Sequence, residues 1–434
     1  TVKFPNGFKP LIKELNSNYG LKYFGIWHAY NGYWNGINPN SNIGQKYKNE
    51  LFSWKQHERI ETESPYATYY FIKPTSHLLN TFYDDWHKYF KEQGFNFVKV
   101  DNQLVSERMS VDNYPIWFLS EKMHKALYRS VFKHFNGAII NCMDMTSDAY
   151  YNFYKSAIGR TVEDYFPERD GGFGYNLERG GAAAHVLMAL YNALYFSQFV
   201  YPDFDMFESY NTYANFHACA RAISGGPIYI TDIPGKQKFN ILWPLIDHEG
   251  KILRVDKPAM LTEDCLFQLQ DPKPLKAFSF IEENGILAVF NAADADTVEG
   301  LISPSDLYGL KGDSFAVYEY FSKKVIILNK KDIYKITLSR MDCQYYSLIP
   351  IKYGIAVFGI TDKLNAPKTI TKLKIRKSFI EVSLSEGGTF KALLPTCPSK
   401  IMINNLVYNN FTYENGVLTL NYNSNNKLKI LIIL

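Results

Sequence analysis

The 434-residue chain sets 47 Lys and Arg against 43 Asp and Glu, a net charge of +4 that gives no electrostatic ground for a nucleic-acid or anionic-membrane partner. Its longest apolar runs fall far short of a bilayer span, and its opening residues carry no secretory signal pattern. The five cysteines (Cys142, Cys219, Cys265, Cys343, Cys397) are scattered without a CxxC pair, which argues against a disulfide framework or zinc site and for a reducing compartment, the cytoplasm.

In chain order, six short apolar runs read as strands: Tyr23–Trp27, Phe97–Val100, Ala138–Cys142, Ser156–Arg160, Gln198–Tyr201 and Pro227–Thr231. Helical periodicity lies between them, as in Tyr83–Gln93, Pro115–Phe132 and Gly181–Phe196. Alternating strand and helix predicts a parallel sheet. Each run ends in a polar or aromatic cluster: Trp27-His28, Asp101-Asn102, Asp144, Arg160 to Asp164, Asp203 and Asp205, Asp232. Parallel α/β enzymes place their chemistry at such strand ends, so a (β/α)8 barrel catalytic domain is expected over residues 1–274, with six βα units visible. From about residue 275 the chain reads as strands broken by turns such as Glu386-Gly-Gly388 and Glu414-Asn-Gly416, predicting an all-β antiparallel sandwich over 275–434.

Asp101 closes the run Phe-Val-Lys-Val, and period-two alternation puts Lys99 on the same strand face. Asp164 follows Arg160 by four positions. Two carboxylates facing one another across a sugar can cleave a glycosidic bond, one attacking and one transferring protons, but spacing alone leaves both open to a loop or capping role. Lys99, in an otherwise apolar strand, needs a partner near its end. The aromatic content of 16% suits stacking on sugar faces, although most of these rings belong to the core.

A series of segments gives the pattern a name. Leu21-Lys-Tyr-Phe-Gly-Ile-Trp-His-Ala-Tyr-Asn-Gly-Tyr-Trp34, Phe97-Val-Lys-Val-Asp-Asn-Gln103, Asn141-Cys-Met-Asp144, Arg160-Thr-Val-Glu-Asp-Tyr-Phe-Pro167 and Pro202-Asp-Phe-Asp-Met-Phe207 occur in order. So do His217-Ala-Cys-Ala-Arg-Ala222, Gly226–Lys236 and Thr262-Glu-Asp-Cys-Leu-Phe267. Together they resemble the raffinose synthase and alkaline α-galactosidase group of glycoside hydrolase family 36, over most of residues 8–365. The resemblance implies a barrel enzyme that acts on α-galactosides with retention and needs no cofactor. It implies Asp101 as nucleophile and Asp164 as general acid/base, with Lys99 and Arg160 bonding the galactose, Trp27 and Cys142 lining the subsite, and Asp205 contributing from further away. Hydrolysis is the leading expectation. Galactosyl transfer shares the same covalent intermediate and is the alternative, with an inactive carbohydrate-binding chain as the third reading.

Two departures matter. Val162 and Glu163 stand where the group has Ser and Asp, which makes Glu163 a rival of Asp164. The group's strand-1 and strand-2 segments are absent from a chain that opens Thr1-Val-Lys-Phe. The expectation is therefore a piece of a longer enzyme that needs the missing segment, or self-association, for stable activity. Among lesser candidates, His28 at the first strand end touches substrate or packs internally. His217 with Cys219 lacks further metal ligands, so no metal is expected. Gly171-Gly-Phe-Gly174 reads as loop, Gly180-Gly181 as helix entry, and Cys142, without a base, as pocket wall rather than nucleophile.

Overall fold

The computed structural model describes residues 4–55, 68–167, 181–267, 272–293 and 295–434. The glycines at 171, 172, 174 and 180 lie outside the described residues. The chain forms two units, Thr1–Arg160 with Gln198–Tyr201, and Thr161–Ser197 with Pro202–Leu434.

The first unit is built on strands β1 (Gly25–Ala29), β2 (Phe97–Asp101) and β3 (Ile139–Asn141), all parallel, with β2 central and β1 an outer strand. The β1–β2 register sets Trp27 beside Lys99 and Ala29 beside Asp101. Val98 and Val100 are fully buried on one face of β2, which leaves Lys99 and Asp101 on the other. The covering helices are α1 (Leu78–Gln93) and α2 (Ile116–Phe135). Along α1, Leu79, Phe82, Tyr83, His87 and Phe90 recur at helical spacing and form its buried face. The helix stops at Gly94, whose φ of 105° an L side chain resists. The core joins these residues to Leu119, Met123, Leu127 and Val131 of α2 and to an antiparallel pair, Leu51–Lys55 with Thr68–Ile72. Strand β4 (Ile158–Arg160) follows, and a Cβ on Gly159 would lie 2.9 Å from both Asp144 and Val200. Only glycine permits so close an approach there.

The second unit carries helices α3 (Ala182–Phe196) and α4 (Ala214–Ser224), packed with Phe204, Phe207, Phe216 and Phe290 in one core. In place of the strand expected at Pro227–Thr231 there is a single parallel bridge between Phe207 and Ile230. From Leu275 the regular elements are strands with short 3-10 turns. A six-stranded antiparallel sheet runs in the order Val325–Asn329, Ser314–Glu319, Cys343–Pro350, Asn284–Phe290, Leu275–Ile281, Met260–Leu261. A four-stranded and a five-stranded sheet follow, and their alternate residues, Val357, Phe390 and Leu418 with Val382, Ile401 and Ile430, close a common core.

Candidate active site

Asp101 ends β2 with its side chain nearly buried, at 8% exposure. Its Oδ2 accepts from Trp27 Nε1 at 2.9 Å and its Oδ1 from the Asn102 backbone N–H at 2.7 Å. Both oxygens are thereby oriented. The next residue bends the chain away: Asn102 has a φ of 60° and donates its side-chain amide to Asn31 Oδ1 and Trp34 O. Trp27 is itself held against Trp34 and edge-on to Tyr33, and remains 37% exposed.

Cys142 follows β3 and its amide bonds Val100 O. Burial pushes its thiol well above the usual range, and the charges of Arg160, Asp101, Lys99 and Asp144 act on it in turn. Those four groups and Cys142 thus share one neighbourhood of the first unit. A thiol kept neutral by burial is a poor nucleophile. Arg160 is buried at the end of β4, and its amide donates to Asp144 Oδ1. Asp144 is fully buried and joins the set, although sequence reasoning noted it only as a strand end.

His28 points to the opposite face of β1 from Trp27. Its Nδ1 faces Ala29 O and its Nε2 lies 3.0 Å from His87 Nε2. A carbonyl only accepts, so Nδ1 carries the proton and His87 Nε2 donates to His28 Nε2. Both ring nitrogens are engaged inside the unit, under Trp86 and Phe90. A second buried chain, invisible in sequence, ties the end of β2 to β3. Tyr30 OH meets His124 Nδ1, His124 Nε2 meets Gln103 Oε1, and Gln103 Nε2 donates to Asn141 Oδ1 and Val100 O.

Asp164 and Asp205 belong to the second unit. Asp164 is exposed and Glu163 half-buried. Asp205 is fully buried with a φ of 61°. Its Oδ2 accepts from the Tyr165 amide at 2.8 Å and its Oδ1 from Tyr229 OH at 3.1 Å. Tyr229 OH also lies within 2.8 Å of Asp203. His217 is fully buried beside Arg221, which donates to its Nδ1. Among the described residues no group of three or more His, Cys, Asp or Glu could hold a metal ion, and no helix is long and apolar enough to cross a membrane.

Comparison with known proteins gives this arrangement its setting. A variant β-L-arabinopyranosidase from Geobacillus stearothermophilus, solved with arabinose, superposes with a TM-score of 0.55 at 15% identity, covering 81% of this chain and 80% of that one. The shared fold is the barrel-type α/β domain with a β-rich C-terminal region. "Probable galactinol–sucrose galactosyltransferase 1" of Arabidopsis thaliana is 28% identical over 403 residues, 84% of this chain and 52% of its own length. Galactinol–sucrose galactosyltransferase of Pisum sativum is 27% identical over 451 residues, 91% of this chain and 54% of its own. The chain spans about half the length of the curated relatives it matches. The family model described as raffinose synthase or seed imbibition protein Sip1 matches residues 3–300 and 302–422, and the chain belongs to that family.

Proposed function

We propose that the chain carries the catalytic carboxylates of a retaining galactosyltransferase that moves galactose from an α-galactoside donor to a sugar acceptor. The observation that carries this is the double anchoring of Asp101 by Trp27 Nε1 and the Asn102 amide, on the strand face that Asp101 shares with Lys99. A nucleophile that must meet an anomeric carbon in line benefits from a fixed orientation. In the first step an Asp101 oxygen bonds the anomeric carbon as the glycosidic C–O bond breaks, and Asp164 gives its proton to the departing oxygen. In the second, Asp164 takes the proton of the acceptor hydroxyl as that oxygen displaces Asp101. Arg160 and Lys99 donate hydrogen bonds to galactose hydroxyls, and Trp27 offers a half-exposed ring to its apolar face.

Transfer is preferred to hydrolysis because the relatives are named galactinol–sucrose galactosyltransferases and, in one further case, stachyose synthase from Pisum sativum. Hydrolysis keeps the same first step and differs only in which hydroxyl wins the second. The test is Asp101→Asn, expected to lower turnover of galactinol by at least roughly 10³-fold, together with trapping of a galactosyl ester on Asp101 by a slow fluorinated galactoside. Near-normal turnover by the variant, or label on another residue, would overturn the assignment.

A further inference from the structure

The backbone that carries Asp164 is tied down at two points. Thr161 N–H donates to Asp203 O at 3.1 Å, Asn192 Nδ2 donates to Thr161 O at 2.7 Å, and the Tyr165 amide donates to Asp205 Oδ2. The Tyr165 ring, 4% exposed, packs edge-on against His217 with centroids 4.9 Å apart. The backbone of Asp205 is turned to a φ of 61° where its side chain meets Tyr165, and Arg221 binds the carbonyls of that turn. The fully enclosed guanidinium donates to Phe204 O at 2.7 Å, Met206 O at 2.9 Å and Asp205 O at 3.2 Å, and to His217 Nδ1 at 2.8 Å. A planar fork with fixed donor directions suits three converging carbonyls in a way a lysine could not. The buried Asp205 carboxylate therefore accepts the Tyr165 N–H on one oxygen, and its other oxygen lies 3.1 Å from Tyr229 OH.

We propose that Asp205 is a positioning residue for proton transfer: by clamping the Tyr165 amide it fixes the backbone from which the adjacent Asp164 carboxyl reaches the glycosidic oxygen. Arg221 acts through Asp205, and Tyr229 couples the clamp to Asp203. This rests on the reading of Asp164 as acid/base. It differs from the subsite role that resemblance implied for Asp205, because the clamp acts on the enzyme's own backbone and not on galactose.

The test exploits the left-handed backbone. Asp205→Gly removes the carboxylate without strain at this φ, and Asp205→Asn, also at home there, keeps an oxygen for the Tyr165 amide while its NH2 donates to Tyr229 Oη. With azide present to accelerate the second step, Asp205→Gly is expected to lower turnover of galactinol, whose leaving group needs a proton, by roughly 100-fold. Turnover of 2,4-dinitrophenyl α-galactoside, whose leaving group does not, is expected to fall less than about tenfold. Asp205→Asn should restore most of the loss. Equal losses on the two substrates, or no loss, would overturn the proposal. Should Asp205→Gly fail to fold, Tyr229→Phe is expected to show the same split at smaller size, and a uniform effect there counts equally against the clamp. Amide exchange gives a readout independent of turnover: the Tyr165 N–H should exchange faster in Asp205→Gly while α4 stays protected, and an unchanged Tyr165 rate sinks the clamp. Asp101→Asn separates the two readings. If it stays active, the proposed function falls; if it is dead while Asp205→Gly affects both substrates alike, only the positioning role falls.

Discussion

Trp27 orients the Asp101 carboxylate, because its indole N–H donates to Oδ2 while the Asn102 amide donates to Oδ1. A hydrogen bond to a charged acceptor contributes about 1.5–3 kcal/mol. Trp27→Phe keeps the ring and removes the donor, so kcat/KM on an activated galactoside is expected to fall about 10–100-fold. The melting temperature should barely move, since the side chain is 37% exposed. Steady-state kinetics beside thermal melting checks this, and unchanged kcat/KM would mean the Asn102 amide alone sets the carboxylate. At this scale the sequence was informative where strand alternation applies: Trp27, Lys99 and Asp101 fall on one face by parity, and the buried Val98 and Val100 on the other. It marked Asp144 only by its strand end and segment and was silent on its bond to Arg160 and on the Gln103–His124–Tyr30 chain, because those contacts join residues far apart with no periodic mark.

Between the strands and helices of the first unit lie three histidines held neutral by burial. His28 and His124 are pulled down to about 4. His87 falls to about 2, first by burial and then by His28 and His134, with Asp84 opposing. All three sit below the unfolded value of about 6.5, so the unfolded chain takes up protons that the native chain refuses. Their contribution is complete above pH 6.5 and is lost as pH falls toward the folded values. Each buried histidine removes roughly 1.4 kcal/mol per pH unit below 6.5, which adds to several kcal/mol by pH 4.5. Carboxylates titrate mostly below that window, so a melting temperature that holds steady from pH 7 to 6.5 and then drops steeply to 4.5 is the expected result. A flat profile across that interval would show that the histidines are solvated. Burial pattern, in both units, also decides which elements were legible. Helix α1 has its apolar residues at three- and four-residue spacing, and the strand Phe379–Leu384 alternates cleanly between buried and half-buried. Cys343–Pro350 is buried along nearly its whole length, so its Gln, Tyr and Ser positions give no period to read. Thr297–Ile302 carries a Glu and a Gly that blur its alternation.

For the whole molecule, transfer and hydrolysis become a question of partition. Both begin with a galactosyl group on Asp101 under the proposed mechanism, and both end when a hydroxyl attacks the same carbon. If donor cleavage limits the rate, adding acceptor cannot raise donor consumption; it can only redirect the product. With galactinol as donor, a transferase is expected to consume it at a constant rate as sucrose increases, while the free galactose released falls and the trisaccharide rises by the same amount. The ratio of the two products should grow linearly with sucrose, because acceptor and water compete for one intermediate and water is constant. Initial-rate product analysis by anion-exchange chromatography measures both. A free-galactose yield equal to donor consumed at every sucrose concentration would return the chain to the hydrolytic reading and leave the assignments of Asp101 and Asp164 intact, since the first step is common to both. The linear ratio is the sharper criterion: a second sugar site that merely activated the enzyme would raise total consumption and leave the ratio of products unchanged.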